Sequence, residues 1–163
     1  MTELTDSQKA EYFRHSYAAA DGLWFLKVEE MYGFLAALQL DEAVWRILPK
    51  IQSRAIKSMM TLEPGLDGLQ NAINTRLNLE GFVFALERYE NGFNVFVSIC
   101  PWHNLMIRSG RDHLSQKICD LICVTENSVW SEEFSKAGHA KIKFKNANTI
   151  SKGASRCELC FYI

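Results

Sequence analysis

The sequence is short of chain breakers. Three prolines and nine glycines among 163 residues leave no stretch with the composition of a flexible linker or a disordered tail. It also lacks long apolar runs: its most apolar stretches are interrupted by Asp21, Lys27, Glu29 and Glu30, and nothing approaches the roughly 18 apolar residues that a membrane-spanning helix needs. Neither sign of charge is in excess, because 18 Lys and Arg face 19 Asp and Glu for a formal net charge of -1. That balance gives no footprint for nucleic acid or an anionic membrane, so the expected partner is a small-molecule ligand or substrate. Met1 to Gln8 is too polar to be the core of a signal peptide, which points to a cytoplasmic protein. Five cysteines are an odd number with no dense framework. In a reducing compartment they are expected as thiols, either packed as small hydrophobes or kept for chemistry.

What is present is periodicity that changes along the chain. Ala10, Phe13, Tyr17, Ala20, Trp24, Val28 and Met31 recur at steps of three and four, the stripe of a long amphipathic helix that Gly33 would end. Asp41 stands where an N-cap belongs, ahead of a second stripe through Val44, Trp45, Leu48, Ile51, Ala55 and Met59. Pro49 inside that stripe predicts a kink or two shorter helices. A third, short helix is expected over 65–74, which makes roughly residues 7–77 helical. From Phe82 the pattern becomes that of strands, and Asn91-Gly92 marks a hairpin over roughly 82–100. Helical spacing returns over roughly 112–136, with a separate short helix around 129–136, and two further strands are expected over roughly 140–163. With no repeat and no low-complexity segment, the pattern predicts one α+β domain spanning 1–163, its helical N-terminal half packed on one face of a four-stranded antiparallel sheet. The exposed part of the first helix is where a homodimer would assemble.

Chemistry is first suggested by Cys100-Pro101-Trp102-His103, at a strand end where a loop begins. His103, three residues on, can lower the thiol pKa of Cys100 and make it a nucleophile, or both can bind a metal; the plainer reading is a buried strand end beside a surface histidine. Cys157 and Cys160 have CxxC spacing, but in a strand they face opposite sides and cannot share a metal ion. Cys119 and Cys123 fall at i and i+4 on one helical face, where thiols are most often core filling. A convergent site is nonetheless conceivable: Cys100, Cys123 and Cys157, with His103 and Glu126, would surround one pocket holding a divalent metal ion or a thiol-reactive substrate. Arg108-Ser109-Gly110-Arg111, ahead of a helix near Asp112, would hold a substrate carboxylate or phosphate, or form an exposed turn. Trp102, like Trp24, Trp45 and Trp130, is expected in the core or in a pocket wall. Asp21 is either a buried acid or an exposed one.

These motifs carry a resemblance. Ala20-Asp21-Gly22-Leu23-Trp24-Phe25 with Lys27-Val28-Glu29-Glu30, Leu79-Glu80-Gly81-Phe82, Cys100-Pro101-Trp102-His103 and Arg108-Ser109-Gly110-Arg111 resemble an uncharacterised family of small cytosolic proteins from bacteria and archaea, common in anaerobes. That family is distantly similar to the L-2-amino-thiazoline-4-carboxylic acid hydrolases, which open a cyclic thiazoline to an N-carbamoyl cysteine. The shared plan is a helical N-terminal half, a cysteine after the hairpin, one on the following helix and one in the last strand. It implies Cys100, Cys123 and Cys157 as the functional thiols rather than Cys119 and Cys160. The activity so implied is hydrolysis of a C–N bond in a small cyclic amidine-like substrate. In that scheme Cys100 attacks or binds a metal, His103 moves protons, Glu126 orients a water, and Arg108 or Arg111 holds a substrate carboxylate. The alternative is a non-catalytic sensor domain for a small ligand or a metal, with thiols and tryptophans lining its pocket.

Overall fold

A computed structural model describes residues 3–138 and 140–163. The chain divides into two compact units, Met1–Asp41 and Glu42–Ile163, and the second contains the whole sheet. Among the described residues no helix is long and apolar enough to cross a membrane.

In the first unit, α1 (Asp6–Tyr32) opens on a capping box in which Thr5 Oγ1 accepts from the Gln8 N–H while Gln8 Oε1 accepts from the Thr5 N–H. Two end donors that the helix cannot satisfy internally are thereby paired. Gly33 closes α1 at φ 85°, as its sequence position predicts. Helix α2 (Phe34–Trp45) follows at once, so Asp41 is no N-cap but lies inside a helix, buried. The run from Phe34 to Leu40 is rich in Leu, Ala and Gln, strong helix formers that carry the helix through Asp41.

Pro49 resolves into the two-helix alternative. It sits in the first turn of α3 (Leu48–Met59), where its missing N–H would have had no helical partner anyway. Helix α4 (Leu66–Glu80) is longer than expected and stops at Gly81, in the left-handed region at φ 82°, a conformation that costs a residue without Cβ little.

Strands β1 (Val83–Tyr89) and β2 (Gly92–Ile99) form the expected hairpin. Tyr89 pairs with Gly92, so the two-residue loop is Glu90-Asn91, and Gly92 belongs to the strand. Space is the reason for glycine there: a Cβ on Gly92 would stand 2.2 Å from the Phe161 carbonyl oxygen and 2.5 Å from Tyr89 Oη. With β3 (Lys143–Asn148) and β4 (Cys157–Tyr162) the sheet is antiparallel throughout, in the order β1-β2-β4-β3.

Alternation along these strands sets the layers. Phe84 and Leu86 of β1, Phe93, Val95 and Val97 of β2, Phe144 of β3, and Cys157, Leu159 and Phe161 of β4 share one face through the pairings Phe84↔Val97, Val95↔Leu159 and Phe144↔Phe161. Onto that face α4 brings Leu69, Ala72, Ile73 and Leu77, and the later helix α7 (Val124–Phe134) brings Trp130 and Phe134. Phe93 and Phe161 stack at 4.7 Å. Each such fully buried side chain contributes about 1.5–3 kcal/mol relative to exposure.

The chain between β2 and β3 differs from expectation. Pro101 ends the strand but does not open a loop: it begins α5 (Pro101–Arg108), since proline is pre-set for a first helical position. After a 3₁₀ turn at Asp112–Leu114, α6 (Ser115–Ile118) runs into α7 through a π-helical turn at Cys119–Cys123. The separate helix expected near 129–136 is the continuation of α7. A 3₁₀ turn at Ile150–Lys152 then precedes β4.

Candidate functional site

Four of the five cysteines gather at one end of the second unit. Cys119 and Cys123 bracket the π turn, an irregularity often found at functional sites. Cys100 caps α5, and Cys157 opens β4 on the core face of the sheet. Cys160 is on the opposite face, as strand alternation requires, so the CxxC pair is no pair.

The environments of these thiols differ. Cys119 is lowered to about 7, first because the Cys123 S–H donates to its sulfur; the Ser151 hydroxyl and the charge of Lys152 act in the same direction, against burial and Asp120. Cys123 is pushed the other way. Giving its hydrogen bond to Cys119, its burial, and the negative charge of Cys119 and Glu126 all hold its proton well above the usual thiol range. The two thiols therefore differ in direction, Cys119 lowered and Cys123 raised by the hydrogen bond between them. Burial pushes Cys100 up to about 12 and also raises Cys157 and Cys160.

The surroundings of Cys100 differ from those expected of an activated thiol. Cys100 meets the backbone N–H groups of His103 and Trp102, because a residue ahead of a helix faces the unpaired donors of its first turn. The His103 ring does not activate it, and its Nδ1 is buried without a hydrogen-bond partner among the described residues. Two hydrogen bonds do not offset the burial of Cys100, so it stays protonated at neutral pH. Cys157 accepts from the Ile150 N–H at 3.3 Å.

Behind Cys123 lies a buried polar network. Asn127, one turn on, donates from Nδ2 to the Cys123 carbonyl at 2.8 Å and lies 3.5 Å from its sulfur; Asn146 Nδ2 approaches the same sulfur at 3.8 Å. Asn127 Oδ1 accepts from Arg76 Nη2 at 3.1 Å. Arg76, on α4 and only 3% exposed, pairs through Nη1 with Glu126 Oε1 at 2.8 Å and lies over the Trp130 ring at 5.2 Å. Glu80, one turn along α4, is pushed up to about 7 by burial, with Arg76 lowering it and Glu126 raising it. Glu126 is thus ion-paired with Arg76 and Glu80 lies in the field of both, an acid cluster joined through Asn127 to Cys123.

A cleft of about 360 Å³ lies next to the π turn, lined by Asp120 and Val124, the chain neighbours of Cys119 and Cys123, with Asn146, Asn148 and Thr149 from β3 and its end, and Lys152; neither cysteine itself lines it. Lys152 bonds Asp120 at 2.7 Å. The pairing of β3 with β4 shifts register between Asn146 and Asn148, next to the Asn146 that approaches the Cys123 sulfur.

The remaining expectations fall elsewhere. Arg108 ends α5, exposed, and Arg111 is half-buried ahead of the 3₁₀ turn; neither lines the cleft. Arg108 thus finishes α5, and Arg111 stands at the start of the 3₁₀ turn. Trp102, half-buried, packs edge-on against buried Trp45 at 6.3 Å. Among the described residues no three His, Cys, Asp or Glu side chains are grouped to hold a metal ion, so Cys100, Cys123 and Cys157 are neighbours without the common focus a metal requires. Asp21 is half-buried on α1, and burial raises its carboxyl.

Sequence pattern does not single out Arg76, Glu80, Asn127, Asn146, Ser151 or Lys152 as site residues, and it ranks Cys119 as core filling. Two signals are nonetheless present: Arg76 and Glu80 at i and i+4, and Cys119, Cys123, Glu126 and Asn127 recurring at helical spacing on one face.

The fold and this site define a small α+β protein with a cysteine pair on a π turn, backed by a buried Arg–carboxylate cluster. The chain belongs to DUF6125, a family of unknown function, whose model matches residues 7–148. No curated protein matches it.

Proposed function

We propose that this protein is a thiol-dependent hydrolase of a C–N bond in a small cyclic amidine-like substrate, with Cys119 as its nucleophile. The observation that carries the reading is the Cys119–Cys123 pair on a π turn whose Asp120 and Val124 line a cleft, with the Cys119 thiol lowered to about 7. An amidine carbon is an electrophile that a soft thiolate attacks readily. The Cys119 sulfur bonds to that carbon and the C=N electron pair moves to nitrogen, which takes a proton from cleft water. In a cyclic amidine the ring C–N bond then breaks as the nitrogen leaves as an amine, and in a thiazoline the ring C–S bond breaks as the sulfur leaves as a thiol, both nitrogens staying on the carbon. Water then attacks the thioimidate, the C–S bond breaks, and the thiolate is restored. Lys152 at the cleft is suited to a substrate carboxylate, and the Glu80–Arg76–Glu126 cluster is a reserve of protons behind the pair. The resemblance to thiazoline hydrolases supports the substrate class, while the nucleophile differs from the one that resemblance implies.

The test is to incubate the purified protein with 2-aminothiazoline-4-carboxylate and to follow ring opening by liquid chromatography and mass spectrometry. Turnover is expected in the wild type and in Cys100→Ala, and a loss of about 100-fold or more in Cys119→Ser. Full turnover in Cys119→Ser would remove it as nucleophile. Saturable binding by calorimetry without any ring opening would replace hydrolysis with ligand sensing.

A further inference from the structure

Cys119 and Cys123 stand in a relation that no other pair of thiols among the described residues has. They share a hydrogen bond, whereas the nearby Cys100 and Cys157 reach Cys119 only through charge. In a regular helix, residues at i and i+4 keep their Cβ atoms about 5–6 Å apart, more than the roughly 3.5–4.5 Å of a disulfide. Here the turn between them is π-helical, so the regular hydrogen-bond ladder that would resist their approach is already interrupted. Cys119 is half-buried at the surface end of the network, and the cleft runs alongside through Asp120 and Val124.

We propose that Cys119 and Cys123 form a reversible oxidative modification site, at which a hydroperoxide closes the π-turn dithiol into an intrahelical disulfide. The Cys119 sulfur attacks one peroxide oxygen, the O–O bond breaks, and the other oxygen leaves with a proton as water or an alcohol. Cys119 is then a sulfenic acid. The Cys123 sulfur attacks the Cys119 sulfur, the S–O bond breaks, and the hydroxyl leaves as water with the Cys123 proton. The dithiol loses two electrons and two hydrogens, and the peroxide is the species reduced. Cys123 stands on the same π turn as Cys119, so the resolving sulfur need not be brought from elsewhere. The bridge ties up the nucleophile of the proposed hydrolysis; that consequence, and not the bridge itself, rests on the functional reading.

The experiment treats the full-length protein with a small excess of hydrogen peroxide near neutral pH, counts free thiols, and maps peptides by mass spectrometry. The expected result is loss of two of the five free thiols, a Cys119–Cys123 bridge, and return of both on adding dithiothreitol. Cys123→Ser is expected to trap Cys119 as a sulfenic acid that dimedone labels, and Cys119→Ser to keep all of its remaining thiols. The inference is overturned if the wild type accumulates unbridged sulfenic acid, if the bridge joins Cys119 to Cys100 or Cys157, or if Cys119→Ser still loses thiols. A protein that forms the bridge yet opens no thiazoline retains this inference and loses the hydrolase reading.

Discussion

Alkylation of the five cysteines with iodoacetamide at pH 7 should be strongly unequal, and the structure sets the ratio. Cys119 is lowered to about 7 and is about half thiolate at that pH, whereas Cys100, pushed up to about 12, is thiolate in roughly one molecule in 10⁵. Basicity works against this ratio, because a more basic thiolate is intrinsically more nucleophilic. With a Brønsted slope of about 0.45 over five units, Cys100 regains about 200-fold. The net expectation is an advantage of about 250-fold for Cys119 over Cys100 before access is counted, and the burial of Cys100 can only widen it. The assay is peptide-resolved alkylation at short times, repeated across pH. The Cys119 rate should follow a titration with a midpoint near 7 and then level off, since above that pH the thiolate is already complete. A Cys119 midpoint at the ordinary thiol value, or a Cys100 rate equal to it, would refute the assignment of the hydrogen-bonded pair.

Three further outcomes are expected. Burial raises Glu80 to about 7, so the folded protein holds this proton more tightly than the unfolded chain, whose carboxyl titrates near 4.5. The stabilisation is complete below the unfolded value and is lost as pH rises through 7. Glu80→Gln should remove that slope, changing the stability difference from wild type by on the order of 3 kcal/mol between about pH 4 and pH 8 in urea titrations. Arg76→Met leaves Glu126 and Glu80 buried without their cation and should cost about 3–5 kcal/mol at neutral pH in the same assay, and visibly less in acid. Gly92→Ala forces a Cβ into the Phe161 carbonyl and should cost about 1–3 kcal/mol, read as a lower denaturation midpoint.

The positions of most elements are legible in the sequence because local chemistry sets them. Gly33 ends α1, Asn91-Gly92 announces the hairpin, and strand alternation alone separates Cys157 from Cys160. Sequence and fold part where a local signal has two solutions. Asp41 is a good cap residue, but the helix-forming run ahead of it prevails. Pro101 both stops a strand and starts a helix, so the motif beginning at Cys100 has the pattern of a loop and the conformation of α5. Gly92 marks the hairpin through a shortage of space beside Phe161 rather than through a turn conformation.

The sequence alone determined the α+β plan, the hairpin, the helix ends and the opposite facing of the strand cysteines, because each depends on residues within one or two turns of one another. Tertiary structure decided how the thiols differ in acidity. Cys100 and Cys119 are the same side chain, separated only by surroundings: backbone donors and burial for one, and the Cys123 thiol, Ser151 and Lys152 for the other. Ser151 and Lys152 lie about 30 residues along the chain from Cys119, and Arg76 reaches Glu126 and Asn127 from another helix altogether. Charge and desolvation act through space, so a pKa set by distant segments is invisible until the fold brings them together.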